Sequence, residues 1–223
     1  MRSKGMNSRP DTAREIAELE QGMHELGIMF DITILERFEE YLQVLYAYHG
    51  RMHLLSHRDY ERVSKRHFLP SLIALPYVEK HSRACDIGSG AGFPSIPLKI
   101  LLPNLDLLIL ESQRKKADFL RHLINRLGLE GVEIVHERAE NYSGSKFDIV
   151  LLRAVGAIKR FVKVLDILLE ADGEAIFWKT FTIQEELKIA AGSLDKMHFT
   201  AEVKKIHTPI DKRPLALVIL RKR

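Results

Sequence analysis

Three glycines at alternate positions, Gly88, Gly90 and Gly92, follow a short apolar run at residues 83–87 and lead directly into a helical pattern at 94–102. Glycine tolerates positive φ and has no Cβ, so the chain can bend sharply there and bring backbone N–H groups close to a ligand at a helix N-terminus. The surrounding sequence fits an α/β sheet. Short apolar runs predict strands at 83–87, 106–110, 132–136, 147–152, 173–178, 199–206 and 215–221, and helices are expected at 113–127, 158–169 and 183–191. Alternation of this kind gives a parallel sheet covered by helices on both faces. The last two strands are separated only by residues 207–214, too few for a crossover helix, so they are expected to pair antiparallel.

The spacing of the turn narrows its ligand. A dinucleotide fingerprint, G-x-G-x-x-G, needs glycine at position 93, where this chain has Phe93. The pattern is instead acid-x-G-x-G-x-G, beginning at Asp86, the form associated with S-adenosylmethionine (AdoMet). Another nucleotide, or a tight strand-to-helix turn with no ligand, remains open at this point. The apolar run 107–110 ends in Glu111, close to the offset of about 20 residues expected for a ribose-binding acid at the tip of the second strand. A carboxylate can accept hydrogen bonds from both hydroxyls of a ribose. The competing reading of Glu111 is a solvated strand-end residue.

The first 80 residues read differently. Residues 1–9 are polar, and Pro10 suits a first helical turn. Ile16, Leu19, Met23 and Leu26 mark one amphipathic helix. A second at 31–48 carries an aromatic-rich stripe that reads as core, including Phe38, Tyr41 and Tyr48. A third helix is expected over 59–69, ending near Pro70 because proline disfavours helical geometry in the residue before it. The net charge of +4 is too small to define a partner, but it is clustered. Arg58, Arg62, Lys65 and Arg66 would share one helical stripe able to follow a phosphate backbone, or would form a solvated basic face. The division expected is a helical extension at 1–80, facing RNA, and a catalytic domain at 81–223. The one cysteine, Cys85, cannot form an internal disulfide, and no apolar run or export signal stands out, which predicts a cytoplasmic protein off the membrane. There is no zinc-type spacing and no metal is expected.

Several ordered strings carry a family resemblance over roughly residues 30–220. Residues 66–71 read R-H-F-L-P-S, 86–98 read D-I-G-S-G-A-G-F-P-S-I-P-L, and Glu111-Ser112 precedes Lys115-Lys116. Arg138-Ala139-Glu140 and Arg153-Ala154-Val155 follow. In this order they resemble the bacterial ribosomal small-subunit RNA methyltransferase G family, also called glucose-inhibited division protein B. The resemblance implies a Rossmann-like class I AdoMet-dependent methyltransferase, with a seven-stranded sheet closed by an antiparallel hairpin and a helical N-terminal region. It also implies methyl transfer to N7 of a guanine in small-subunit ribosomal RNA, free or in the 30S subunit, by a chain expected to be monomeric.

Carried over by residue, the resemblance places Asp86, Gly88, Gly90, Gly92 and Phe93 around the amino-acid end of AdoMet and Glu111 at the ribose. Ala139 and Glu140 would border the adenine. Arg153, the candidate catalytic residue, would grip the cofactor carboxylate or an RNA phosphate. Arg62, Lys65, Arg66, Lys115, Lys116, Lys179 and Arg213 are the expected RNA contacts. His24, His122 and His198 read as surface or packing residues. Two positions depart from the family strings: Pro70 stands where an aspartate is expected, and His53 where an asparagine is. The alternatives are an AdoMet-binding RNA or ribosome-assembly factor without turnover, a methyltransferase for another substrate, and an NAD oxidoreductase, the last disfavoured by Phe93 and the closing hairpin.

Overall fold

The structure is a computed structural model that describes residues 11–223, so the readings of residues 1–9 and Pro10 lie outside the described residues. Helix α1 (Thr12–Glu25) is capped by Asp11, whose side chain accepts from the Arg14 amide at 3.0 Å. Helix α2 (Ile32–Tyr48) is capped in the same way by Asp31. Both caps satisfy a donor that the first helical turn leaves open. A π-helical turn (Ser64–Phe68) then runs without a break into α3 (Leu69–Leu72), and α4 (Leu75–Val78) follows.

The α/β part follows the sequence pattern closely: β1 (Arg83–Ile87), α5 (Ser95–Leu101), β2 (Asp106–Leu110), α6 (Arg114–Leu127), β3 (Val132–Val135), β4 (Phe147–Arg153), α7 (Ile158–Leu168), β5 (Leu169–Lys179), α8 (Gln184–Lys196), β6 (Phe199–His207) and β7 (Pro214–Lys222). The strand order is β3-β2-β1-β4-β5-β7-β6. β1 to β5 pair in parallel, and β7 lies antiparallel between β5 and β6, as the short 207–214 connection requires.

Period-two alternation divides the sheet between two cores. Ile149 and Leu151 of β4 face one side with Ile219 of β7, and Val150 and Leu152 face the other with Val218. α7 and α8 cover the second face. The first is covered by α5 and α6 together with the N-terminal helices: Leu19, Met23, Phe38, Tyr41 and Phe68 join the same apolar cluster as Ile149, Ile176 and Trp178. Residues on both sides of position 80 thus share one apolar cluster.

The basic helix expected over 59–69 does not form over that range. Residues 49–62 form turns, and helix begins only at Val63. Ser56 Oγ donates to Asp59 at 2.6 Å while the Asp59 amide donates to the Ser56 carbonyl, a local turn that competes with helix. Arg58 and Arg62 thus precede the helix that carries Lys65 and Arg66, and no single helical stripe joins them. Nor does the helix stop at Pro70, which lies within α3. Helix continues through this proline because the carbonyls it cannot serve find partners elsewhere in the chain.

Candidate active site

The turn after β1 begins with the Gly88 amide donating to the Leu110 carbonyl at 2.8 Å, which carries the parallel β1–β2 ladder into the loop. Glu111 fastens the other side. Its Oε2 accepts from the Gly90 amide at 3.1 Å and its Oε1 from the Gln113 amide at 2.8 Å, so one buried carboxylate holds both the glycine turn and the approach to α6. Each carboxylate oxygen keeps a second lone pair for a further donor.

Gly88, Glu111, Ala139 and Glu140 line one cavity of about 290 Å³, together with Gln113, Lys116 and Phe161. The cavity lies at the carboxyl ends of β1, β2 and β3, where open α/β sheets bind ligands. It brings together a glycine turn, an acid at the tip of the second strand and apolar surface, a donor set suited to the ribose and base of a nucleoside. A Cβ on Gly88 would stand 3.0 Å from Val155, which also lines the cavity, so a side chain there would intrude on its wall.

Asp86, Gly90, Gly92, Phe93 and Arg153 are not among the residues that line this cavity. Phe93 does not line it: the ring is buried between the stacked rings of Tyr41, 5.6 Å away, and His67, 4.7 Å away. Gly92 packs against Tyr41, whose hydroxyl donates to the Ala91 carbonyl at 2.7 Å. Asp86 is fully buried; its Oδ2 meets the Ser95 amide at 3.4 Å and its Oδ1 has no partner among the described residues.

Arg153 makes hydrogen bonds to the π-turn and to α3. Nη2 donates to the Arg66 carbonyl at 2.6 Å, and Nη1 donates to the His67 carbonyl at 3.1 Å and to Ser71 Oγ at 3.0 Å. From the closing hairpin, Arg213 Nη2 donates to the Lys65 carbonyl at 2.8 Å. Pro70 has no N–H for the carbonyl four or five residues earlier, which are those of Arg66 and Lys65. Two arginines thus supply donors to the carbonyls that Pro70 cannot serve, and Trp178 Nε1 donates to the Pro70 carbonyl itself at 2.7 Å. These contacts hold His67 on Phe93 and the π-turn against the glycine loop.

The remaining cations divide into engaged and open. Lys65 pairs with Glu18 at 2.7 Å, Lys179 with Glu186 at 2.7 Å, and Arg213 with Asp211 at 2.5 Å. Arg62 and Lys115 are exposed, and Arg66 and Lys116 half-buried. Sequence reasoning did not single out His67, Ser71 or Trp178. His67 and Ser71 lie inside the R-H-F-L-P-S string, which was the available signal, whereas nothing local marks Trp178.

Two buried titrating groups oppose each other here. Burial raises Asp86 to about 7. Between its ordinary value of 3.8 and 7 the folded chain holds a proton that the unfolded chain has released, so this contribution to stability is lost as pH rises. Burial lowers His67 to about 4 from 6.5, so between those values the unfolded chain binds the extra proton and stability grows with pH. The wild-type profile should therefore be shallow from about pH 4 to 6.5. Asp86→Asn should become more stable with rising pH in that window, and His67→Gln less stable, each by a few kcal/mol at about 1.4 kcal/mol per unit. Urea midpoints across pH 4 to 8 measure this, and parallel profiles for all three proteins would refute it.

A parallel sheet of this order with a closing antiparallel hairpin, a glycine turn after β1 and an acid at the tip of β2 define the class of AdoMet-dependent methyltransferases. The fold is shared with the solved structure of precorrin-6y C5,15-methyltransferase from Geobacter metallireducens GS-15 (TM-score 0.56, 17% identity, covering 77% of this chain and 91% of that one). The sequence profile of the family described as rRNA small subunit methyltransferase G matches residues 34–214. The protein of that name from Halalkalibacterium halodurans is 35% identical, covering 93% of this chain and 91% of the relative. The one from Dehalococcoides mccartyi strain CBDB1 is 37% identical over 81% and 79%. The chain belongs to the ribosomal RNA small subunit methyltransferase G family. It is an AdoMet-dependent methyltransferase.

Proposed function

We propose that the protein transfers a methyl group to N7 of a guanine in small-subunit ribosomal RNA, free or within the 30S subunit. The observation that carries this reading is the cavity at the carboxyl ends of β1 to β3, in which residues of the ordered family strings, Gly88, Glu111, Ala139 and Glu140, meet on one wall. When bound, AdoMet supplies an electrophilic methyl group on a positively charged sulfur. Glu111 would receive the ribose hydroxyls on its remaining lone pairs, and Ala139 and Glu140 would border the adenine. Asp86, buried behind the turn with Oδ1 free, would answer the cationic amino-acid end.

Guanine N7 already carries a lone pair, so no base has to remove a proton before attack. The chain is consistent with that requirement. Its one thiol, Cys85, is buried in β1 with its ionisation suppressed by burial, and the work left to the protein is alignment and exclusion of water. Of the expected RNA contacts, Arg62, Arg66, Lys115 and Lys116 are the ones open to phosphates. Lys65, Lys179 and Arg213, already paired, would contribute less. Among the described residues no helix is long and apolar enough to cross a membrane and no group of side chains is arranged to hold a metal. The buried, unpaired cysteine suits a reducing cytoplasm. A monomer fits the small number of large exposed apolar side chains, Met29, Ile32, Ile167 and Ile189.

The test is incubation with tritiated AdoMet and 30S subunits from a strain lacking its own guanine-N7 activity at this site, followed by nucleoside analysis. Label is expected in 7-methylguanosine. Label in another nucleoside would reject the acceptor, and no label despite AdoMet binding would reject turnover.

A further inference from the structure

Residues 49–60 enclose a second cavity, of about 330 Å³, lined by His49, Arg51, Met52, His53, Leu55, His57 and Tyr60 with Gly50. Its size falls within the range of small-ligand sites, roughly 300–1,000 Å³. The His49 and His57 rings are stacked, 5.3 Å apart and 18° from parallel, and the edge of Tyr60 meets His49 at 4.0 Å. Of these rings Tyr60 is buried, His49 half-buried and His57 exposed, so the stack has one member open to solvent. Among the described residues no three of His, Cys, Asp and Glu are arranged to hold a metal, so these histidines are not a metal triad.

The surroundings describe the guest. Arg51 on the cavity wall is exposed, as are Arg58 and Arg62 close by in sequence, against Glu61 and a half-buried Asp59 that already accepts from Ser56. Flat rings beside exposed arginines are the chemistry of an unpaired nucleotide, whose base stacks while its phosphates meet cations. A chain of packed side chains links the cavity to the glycine turn. Asp59, next to Tyr60, lies 3.9 Å from His67 Nε2, and His67 stacks on Phe93 behind the glycine turn.

We infer that the His49–His57–Tyr60 cavity is a subsite for an unpaired nucleotide of the RNA, flanking the one that receives the methyl group. This rests on the RNA reading above. The exposed base face is His57, and its replacement should not disturb the fold.

The experiment measures KM for unmodified 30S subunits and Kd for AdoMet in the full-length protein and three variants. His57→Ala should raise KM about tenfold, the loss of one base–ring stack, with AdoMet affinity unchanged. His57→Phe should stay close to wild type, and His57→Lys should not rescue. An unchanged KM in His57→Ala, or rescue by lysine and not phenylalanine, would overturn the subsite while leaving the methyltransferase reading intact. If the wild-type protein methylates no RNA, both fall together.

Discussion

Arg153→Ala should lose at least about 100-fold in methyl transfer and about 3 kcal/mol in stability. The guanidinium makes charge-assisted hydrogen bonds to the Arg66 and His67 carbonyls and to Ser71 Oγ, across 82 to 87 positions of sequence. Truncation leaves Arg66 O facing Pro70, which has no N–H to offer, and a partly buried acceptor without a donor costs about 1–3 kcal/mol. The larger effect is on activity. His67 and Phe93 are held by this clamp, and a shift of about 1 Å in groups that align a reaction can cost about 100-fold. Burial lowers Arg153 to about 10, which still leaves it charged at neutral pH. Lysine should recover only part of the loss, because one ammonium cannot present the planar fork that reaches two consecutive carbonyls. The discriminating measurement is single-turnover methylation beside AdoMet titration. A positioning role predicts a fall in rate that exceeds any fall in AdoMet affinity, and a cofactor-carboxylate role predicts the reverse.

Gly92→Ala should destabilise the protein by about 2–5 kcal/mol, whereas Gly90→Ala, two residues earlier, should cost about 1–2 kcal/mol. Both glycines have positive φ, +103° and +61°, so an added Cβ strains the backbone at either position by about 1–2 kcal/mol. The surroundings make the difference. At Gly92 a Cβ would overlap the Tyr41 hydroxyl and lie 3.0 Å from Ile96. Tyr41 cannot easily yield, because it is fully buried, hydrogen-bonded to Ala91 and stacked on Phe93, and overpacking of that kind adds about 1–3 kcal/mol. At Gly90 the nearest atom to a new Cβ is the Gly88 carbonyl oxygen at 4.0 Å, ordinary contact. Urea denaturation of the two variants compares them directly. Equal losses would mean that the third glycine of the turn is required for its backbone conformation alone and not for close packing on α2.

The strands, the order of turns and the closing hairpin were legible from the chain because each rests on local signals: apolar runs of strand length, glycines at alternate positions, a connection too short for a helix. The cavity wall of Gly88, Glu111, Ala139 and Glu140 was legible for the same reason, since Gly88 and Glu111 follow directly on β1 and β2, Ala139 and Glu140 lie in the loop region after β3, and the strand ends gather at one edge of the sheet. The N-terminal helices were found, but not their place. Amphipathic spacing shows that Leu19, Phe38 and Tyr41 need cover and cannot say that the cover is one face of the same sheet.

Tertiary structure alone decided how the chain passes Pro70. Local chemistry says that a helix should end there. Arg153 at the end of β4, Arg213 in the closing hairpin and Trp178 of β5 supply hydrogen bonds to the Arg66, Lys65 and Pro70 carbonyls that let it continue. It likewise set His49 against His57 and Tyr60, in a stretch whose sequence reads only as basic. Periodicity records what a segment must bury or turn; which carbonyl a distant arginine will find depends on the register of the whole sheet.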